Sequence, residues 1–156
     1  MVTWQDFEQQ APDFAPAVRA RFEARKHHVL ATLRKGGSPR VSGTEVQFIG
    51  AELTIGSMDN AVKALDLRRD GRYALHSHPG DETMTDGDAK ISGRAVEITD
   101  EVELSAYAGD LPQAPPGPFH AFRLGITEVV LTTVADNRLV IRSWRPGEEV
   151  RTVTRD

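Results

Sequence analysis

After Lys26 the sequence changes period, and this constrains the fold more than any other feature. Before it, Phe14, Val18 and Phe22 recur at every fourth position, which places them on one face of a helix. That helix is expected from Asp13, acting as its cap, to about Lys26, with Pro16 tolerated in the first turn. After it, apolar runs are short and separated by glycine, proline or Asp-Asn. Val29 to Leu33 reads as a strand, KGGS with Pro39 as a turn, Arg40 to Ile49 as a second strand and Glu52 to Gly56 as a third. A short helix from Ala61 to about Asp70 follows, then strands at Arg72 to His76 and Asp88 to Ile98 around a polar loop. Asp100 to Ala108 reads as helix, LPQAPPGP as loop, and Ile126 to Val134 with Arg138 to Trp144 as a hairpin turned at Asp136-Asn137.

Hairpins connect most neighbours in this order, so the sheet is expected to be largely antiparallel. The reading is α+β, mainly β. A closed or partly closed barrel with short flanking helices hides the edges of many short strands; an open sheet with helices on one face satisfies the same pattern.

The 156 residues suit one domain, 1–156, large enough to bury a core without staples. Cysteine is absent, which excludes disulfides, thiolate metal sites and cysteine nucleophiles. A formal charge of -4 argues against a nucleic-acid partner. No apolar run spans a bilayer and MVTWQDFEQQ lacks the marks of a secretory signal, so the expectation is a cytoplasmic protein with no membrane partner.

The segment TIGSMDNAVKALDLRRDGRYALHS carries the candidate chemistry. With Asn60 as N-cap, Lys63 falls in the first turn of a helix, against the positive end of its dipole. A cation is disfavoured there unless an anion sits on the free N–H groups. Ser57, Asn60 and Lys63 therefore form a candidate phosphate cradle. The competing reading is a solvent-facing lysine on an ordinary surface helix.

With its elements laid out, the chain resembles the pyridoxamine 5′-phosphate oxidase-like family of flavin-binding split β-barrels from about His28 to Trp144. The resemblance is carried by HHVLATLRKGGSPRVSGTEVQF, LTIGSMDNAVKALDLRRDGRYALHS, GDAKISGRAVEI and ITEVVLTTV with LVIRSW. It implies a homodimer with a cofactor groove between subunits, FMN or an 8-hydroxy-5-deazaflavin cofactor as ligand, and a small conjugated molecule as substrate. Carried over by position, it implies that Arg40, Ser57 and Lys63 hold the phosphate. Val41, Ser42, Gly43 and Thr44 would lie beside the ring, and Lys90 and Trp144, with Arg142, would close the site, from the same subunit or from the other. The chain departs from the true oxidases in having Val62 before Lys63 and a C-terminus of mixed charge, RPGEEVRTVTRD. No side-chain acid, base or nucleophile is required if the cofactor carries the hydride.

Two other readings compete. His76 and His78, on one strand face with Asp81, Glu82, Asp86 and Asp88 nearby, suit a metal-dependent hydrolase, and HSHP resembles the JAMM-type metalloproteases. A non-catalytic carrier of flavin or haem needs only the barrel. His27 and His28 complement a helix C-terminus, Arg19, Arg21 and Arg25 form a solvated face, Trp4 is a core residue, and His120 is a candidate substrate contact at the groove mouth.

Overall fold

In the computed structural model, which describes residues 1–156, the change of period falls between α2 (Ala15–Glu23) and β1 (His28–Leu33). Ahead of α2 lies a helix absent from the sequence reading, α1 (Trp4–Gln10). Its signal was present: Thr3 and Asp6 form a reciprocal capping box. Trp4 and Phe7 bury its inner face. Asp13 does not cap α2; Phe14 holds that position without a side-chain bond and sends its ring into the core.

Downstream run β2 (Pro39–Thr44), β3 (Gln47–Ile49), β4 (Glu52–Met58), α3 (Val62–Arg69), β5 (Arg72–His76) and β6 (Asp88–Glu97). They are followed by α4 (Glu101–Asp110), β7 (Phe119–Ala135), β8 (Arg138–Trp144) and β9 (Arg151–Arg155). The single strand expected over Arg40 to Ile49 is two strands, broken at Glu45 and Val46. β7 begins at Phe119 rather than Ile126, because residues 119–123 pair with β4 before the strand goes on to pair with β8. β9 was not foreseen; it adds to β8 at the edge.

All strand pairings are antiparallel, in the order β2-β1-β5-β6-β7-β4-β3, with β8 and β9 continuing from β7. The ends of this path, β2 and β3, are consecutive strands joined by only Glu45 and Val46. Laid flat, seven strands about 4.8 Å apart would put those edges about 29 Å from each other. Three residue steps span at most about 11 Å. The sheet therefore curls until its edges nearly meet, yet β2 and β3 do not pair and a seam remains. This is a split barrel, mainly β, with short flanking helices.

The barrel is filled by Leu30, Leu53, Ile55, Leu75, Ile91, Phe122, Leu124 and Val129, and α1 and α2 plug it with Trp4, Phe7, Phe14, Val18 and Phe22. At a bulge in the β6–β7 ladder the backbones of Gly93 and Gly125 come so close that a Cβ on Gly93 would lie 1.8 Å from the Gly125 carbonyl oxygen. Glycine marks close approach there, not a strand end.

Candidate active site

The seam that topology forces opens into a groove of about 1250 Å³. One side is the β2–β3 link from Gly43 to Phe48; next to it lie Gly56 to Asp59, at the end of β4, and Lys63 of α3. The other walls are the C-terminal end of α2 through His27, and Tyr107 with the proline-rich segment Leu111 to Phe119.

Lys63 is the second residue of α3. Its Nζ donates to the Gly43 carbonyl at 2.9 Å, and no carboxylate lies within ion-pairing distance. Burial lowers its pKa, and Glu45 only partly opposes this. The N-cap is Ala61, which offers no side-chain acceptor, and the backbone N–H groups of Val62 and Lys63 have no acceptor in the chain. Ser57, buried at the end of β4, makes only a long 3.5 Å contact to the Met58 carbonyl. Ser57 and the half-buried Lys63 thus line the same groove, and Lys63 sits on a helix start whose first two backbone donors are open. An anion with several oxygens satisfies such a set.

The other expected residues divide. Gly43 and Thr44 line the groove. Asn60 is not the cap: it takes a left-handed conformation, φ 58°, and its backbone N–H donates to His120 Nε2 at 3.1 Å. Arg40 is drawn away, because side chains alternate along β2 and Arg40 lies opposite Thr32, facing α3. Its Nε donates to Asp66 at 2.7 Å, beside bonds to Asp66 from Thr32 at 2.8 Å and Arg69 at 2.9 Å. Arg40 is a strut between sheet and helix. Ser42 shares its face and is not among the groove residues, while Val41 points out to solvent, 70% exposed.

Lys90 lies on β6 opposite Val130, with Nζ bonded to Thr132 Oγ1 at 3.3 Å, away from the groove. Trp144 is in the core against Phe7, at 4.7 Å between ring centroids, and its Nε1 has no partner within the chain. Packing under α1 keeps it out of this chain's groove, and Arg142, stacked over Phe14, goes with it. The two histidines of HSHP do not share a strand face: His76 ends β5, 3.8 Å from Asp88, whereas His78 lies beyond it and donates its backbone N–H to His28 Nδ1. No three His, Asp or Glu side chains are grouped to hold a metal ion.

Compared with known proteins, the sequence matches no family model and no curated protein. Its fold does find counterparts. A pyridoxamine 5′-phosphate oxidase-related, FMN-binding protein from Nostoc punctiforme superposes with a TM-score of 0.66 over 93% of this chain and 96% of that one, at 14% identity. The chain has the pyridoxamine 5′-phosphate oxidase-like fold. PhzG from Burkholderia lata 383, solved with tetrahydrophenazine-1-carboxylic acid, shares this fold at a TM-score of 0.60 and 18% identity over 93% and 92% of the two chains. So does HutZ, a haem storage protein from Vibrio cholerae, at 0.54 and 17% over 74% and 92%.

Within this pyridoxamine 5′-phosphate oxidase-like frame, the structure adds groove residues that sequence reasoning missed. Tyr107 and Phe119 stack with ring centroids 6.2 Å apart and planes inclined by 26°. Thr54 Oγ1 lies within reach of two acceptors, the Gln47 carbonyl at 3.0 Å and Tyr107 Oη at 3.3 Å, and so ties the phenol oxygen to the end of the β2–β3 link. Burial raises the pKa of Tyr107 and keeps it neutral. Arg25 and Lys26 add positive charge elsewhere along the groove lining, beside His27. The only early signal for Tyr107 was that it is the single aromatic of a short helix. His28, by contrast, does what its position predicts, bonding the Phe22 carbonyl at the end of α2 with Nε2 at 3.0 Å.

Proposed function

We propose that the seam groove binds FMN and that the protein is a flavin-dependent oxidoreductase acting on a small conjugated substrate. The observation that carries this reading is Lys63: a desolvated cation at a helix start whose only partner is a neutral carbonyl. The residues fit a phosphate on a ribityl chain. Lys63, Ser57 and the N–H groups of Val62 and Lys63 would hold the phosphate, and the backbone of Gly43 and Thr44 would border the ring. A Cβ on Gly43 would meet nothing within 4 Å, so this edge is open. The Tyr107–Phe119 pair offers an apolar face to a planar molecule. FMN, when bound, supplies the two-electron chemistry; the chain positions it and neutralises its charge. A deazaflavin cofactor built on 8-hydroxy-5-deazaflavin presents similar recognition features and is the alternative ligand.

The groove is open on one side, and Val41, Met58 and Val62 stand 70%, 81% and 53% exposed around Lys63. A second copy of the chain covering this patch would close the groove and make a homodimer.

Titration of purified protein with FMN and with the deazaflavin tests the reading. Wild type should bind one of them, and Lys63→Ala should weaken binding about 10- to 100-fold, the worth of one charge-assisted bond to an anion. Wild type that takes up neither ligand, or a variant with undiminished affinity, defeats it. A second reading, a non-catalytic haem or flavin carrier, draws on His27 at the groove wall, whose imidazole would hold haem iron. A Soret band in the purified protein that His27→Ala removes, with no turnover of electron acceptors under anaerobic reduction, favours the carrier.

A further inference from the structure

The turn between β4 and α3 carries Ser57 at one end and Lys63 at the other, and a network outside the groove holds its middle. His120, on β7 opposite Ser57, is largely buried, with a side chain 14% exposed. Its Nε2 accepts the Asn60 backbone N–H at 3.1 Å and lies 3.4 Å from Asp59 Oδ1. Its Nδ1 lies 3.3 Å from Glu97 Oε1 on β6 and 3.3 Å from Arg68 Nη2 on α3. Arg68 and Glu97 are themselves paired by two bonds of 2.7 and 2.8 Å. That bidentate bond chiefly holds the Glu97 carboxyl below its ordinary range, so it stays ionised. The charged groups around the ring are thus Asp59, Arg68 and Glu97.

This geometry selects one neutral tautomer. Nε2 accepts the Asn60 N–H and so bears no proton in the neutral ring, which leaves the ring proton on Nδ1, the nitrogen 3.3 Å from Glu97 Oε1. Adding a proton to Nε2 reverses its role. It can no longer accept from Asn60, and it becomes a donor facing Asp59. Asp59 also lines the groove, beside Ser57 and Lys63. While the imidazole is neutral, the Asp59 carboxylate repels an anion in the cradle; once the imidazole is charged, that carboxylate is neutralised and turned toward the ring.

We propose that His120 is a positioning residue that couples anion binding in the groove to pH, with affinity rising as the imidazole takes up a proton and exchanges Asn60 for Asp59. This rests on the reading of the groove as an anion site. The device belongs to this chain's own residues: His120 on β7, Asp59 and Asn60 in a left-handed turn, and an Arg68–Glu97 pair that fixes the far side of the ring.

The test is FMN affinity at about pH 5.5 and about pH 8, below and above the ordinary histidine range, in wild type, His120→Gln and Asp59→Asn. The phosphate titrates as well, but identically for all three proteins, so the ratio of the two affinities is compared between them. Wild type should exceed His120→Gln in this ratio by about threefold to tenfold, as expected for a partly exposed ion pair. Asp59→Asn should bind more tightly than wild type at the higher pH and show the flatter response of His120→Gln. In 1H–15N spectra without ligand, the Asn60 amide should shift with a single midpoint that His120→Gln abolishes. Equal ratios in wild type and variants, or an Asn60 amide insensitive to pH, overturn the switch while leaving the anion site intact. Failure of wild type to bind FMN at either pH overturns the anion site and with it this inference.

Discussion

Asp66 lies three residues after Lys63 on the buried side of α3 and collects donors from three elements: Thr32 of β1, Arg40 of β2 and Arg69 of its own helix. Burial alone would raise its pKa, but the bonds from Arg40, Arg69 and Thr32 outweigh it and hold the carboxyl below 3.8. A depressed carboxyl stabilises the fold fully above its unfolded pKa and loses that contribution as pH falls through its folded value. Asp66→Asn should therefore cost about 3 kcal/mol at neutral pH, the lower end for breaking a buried pair, because both arginines are partly in water. The difference in urea midpoint between wild type and variant should narrow as pH drops below 3.8. A constant difference down to acid pH would show that Asp66 acts by shape rather than charge. Arg40 illustrates what residue type alone leaves open. A basic residue on the second strand has two partners within reach, a ligand phosphate or a helix carboxylate. The alternation of β2, set by pairing with β1, turns it toward Asp66.

At the scale of elements, strands with local signals are read closely from sequence. β5 and β8 fall at the expected residues, and Asp136 and Asn137 take left-handed φ of 51° and 61°, as a tight hairpin turn requires. The errors fall where pairing, rather than local pattern, decides. Nothing in FHAFRLG announces a strand until β4 lies beside it, and Gly125 looks like a break until Gly93 is seen crossing it. Glycine at position 93 is a requirement of the β6–β7 ladder, whereas a Cβ on Gly125 would meet the Met1 side chain instead. Gly93→Ala should lower stability by more than 3 kcal/mol, roughly the upper range of overpacking, or leave the protein insoluble. Gly43→Ala, whose Cβ would find open space, should leave the melting temperature within about 2 °C. Thermal melts of the pair check this, and equal losses would mean that the strand crossing is looser than the geometry indicates.

For the molecule as a whole, the two-residue link between β2 and β3 does the most. It forces the sheet to curl, leaves the seam unpaired and makes that seam the groove. If a second copy closes it, Val41→Glu and Met58→Glu should each shift the mass seen by light scattering from dimer to monomer and weaken FMN uptake, with the thermal stability of the barrel little changed. A wild type that is monomeric at micromolar concentration while binding FMN would remove the partner from the site. No helix is long and apolar enough to cross a membrane.

Local chemistry was enough to mark the hairpins, the mainly antiparallel character and the lysine at a helix start, because turn residues, period and dipole act over a few neighbours. It could not say that Trp144 lies under α1, that Arg40 answers to Asp66, or that Tyr107 and Phe119 line the same groove as Lys63. Those facts depend on which strands pair and how far the sheet bends. Only long-range hydrogen bonding and the packing of a shared core impose that.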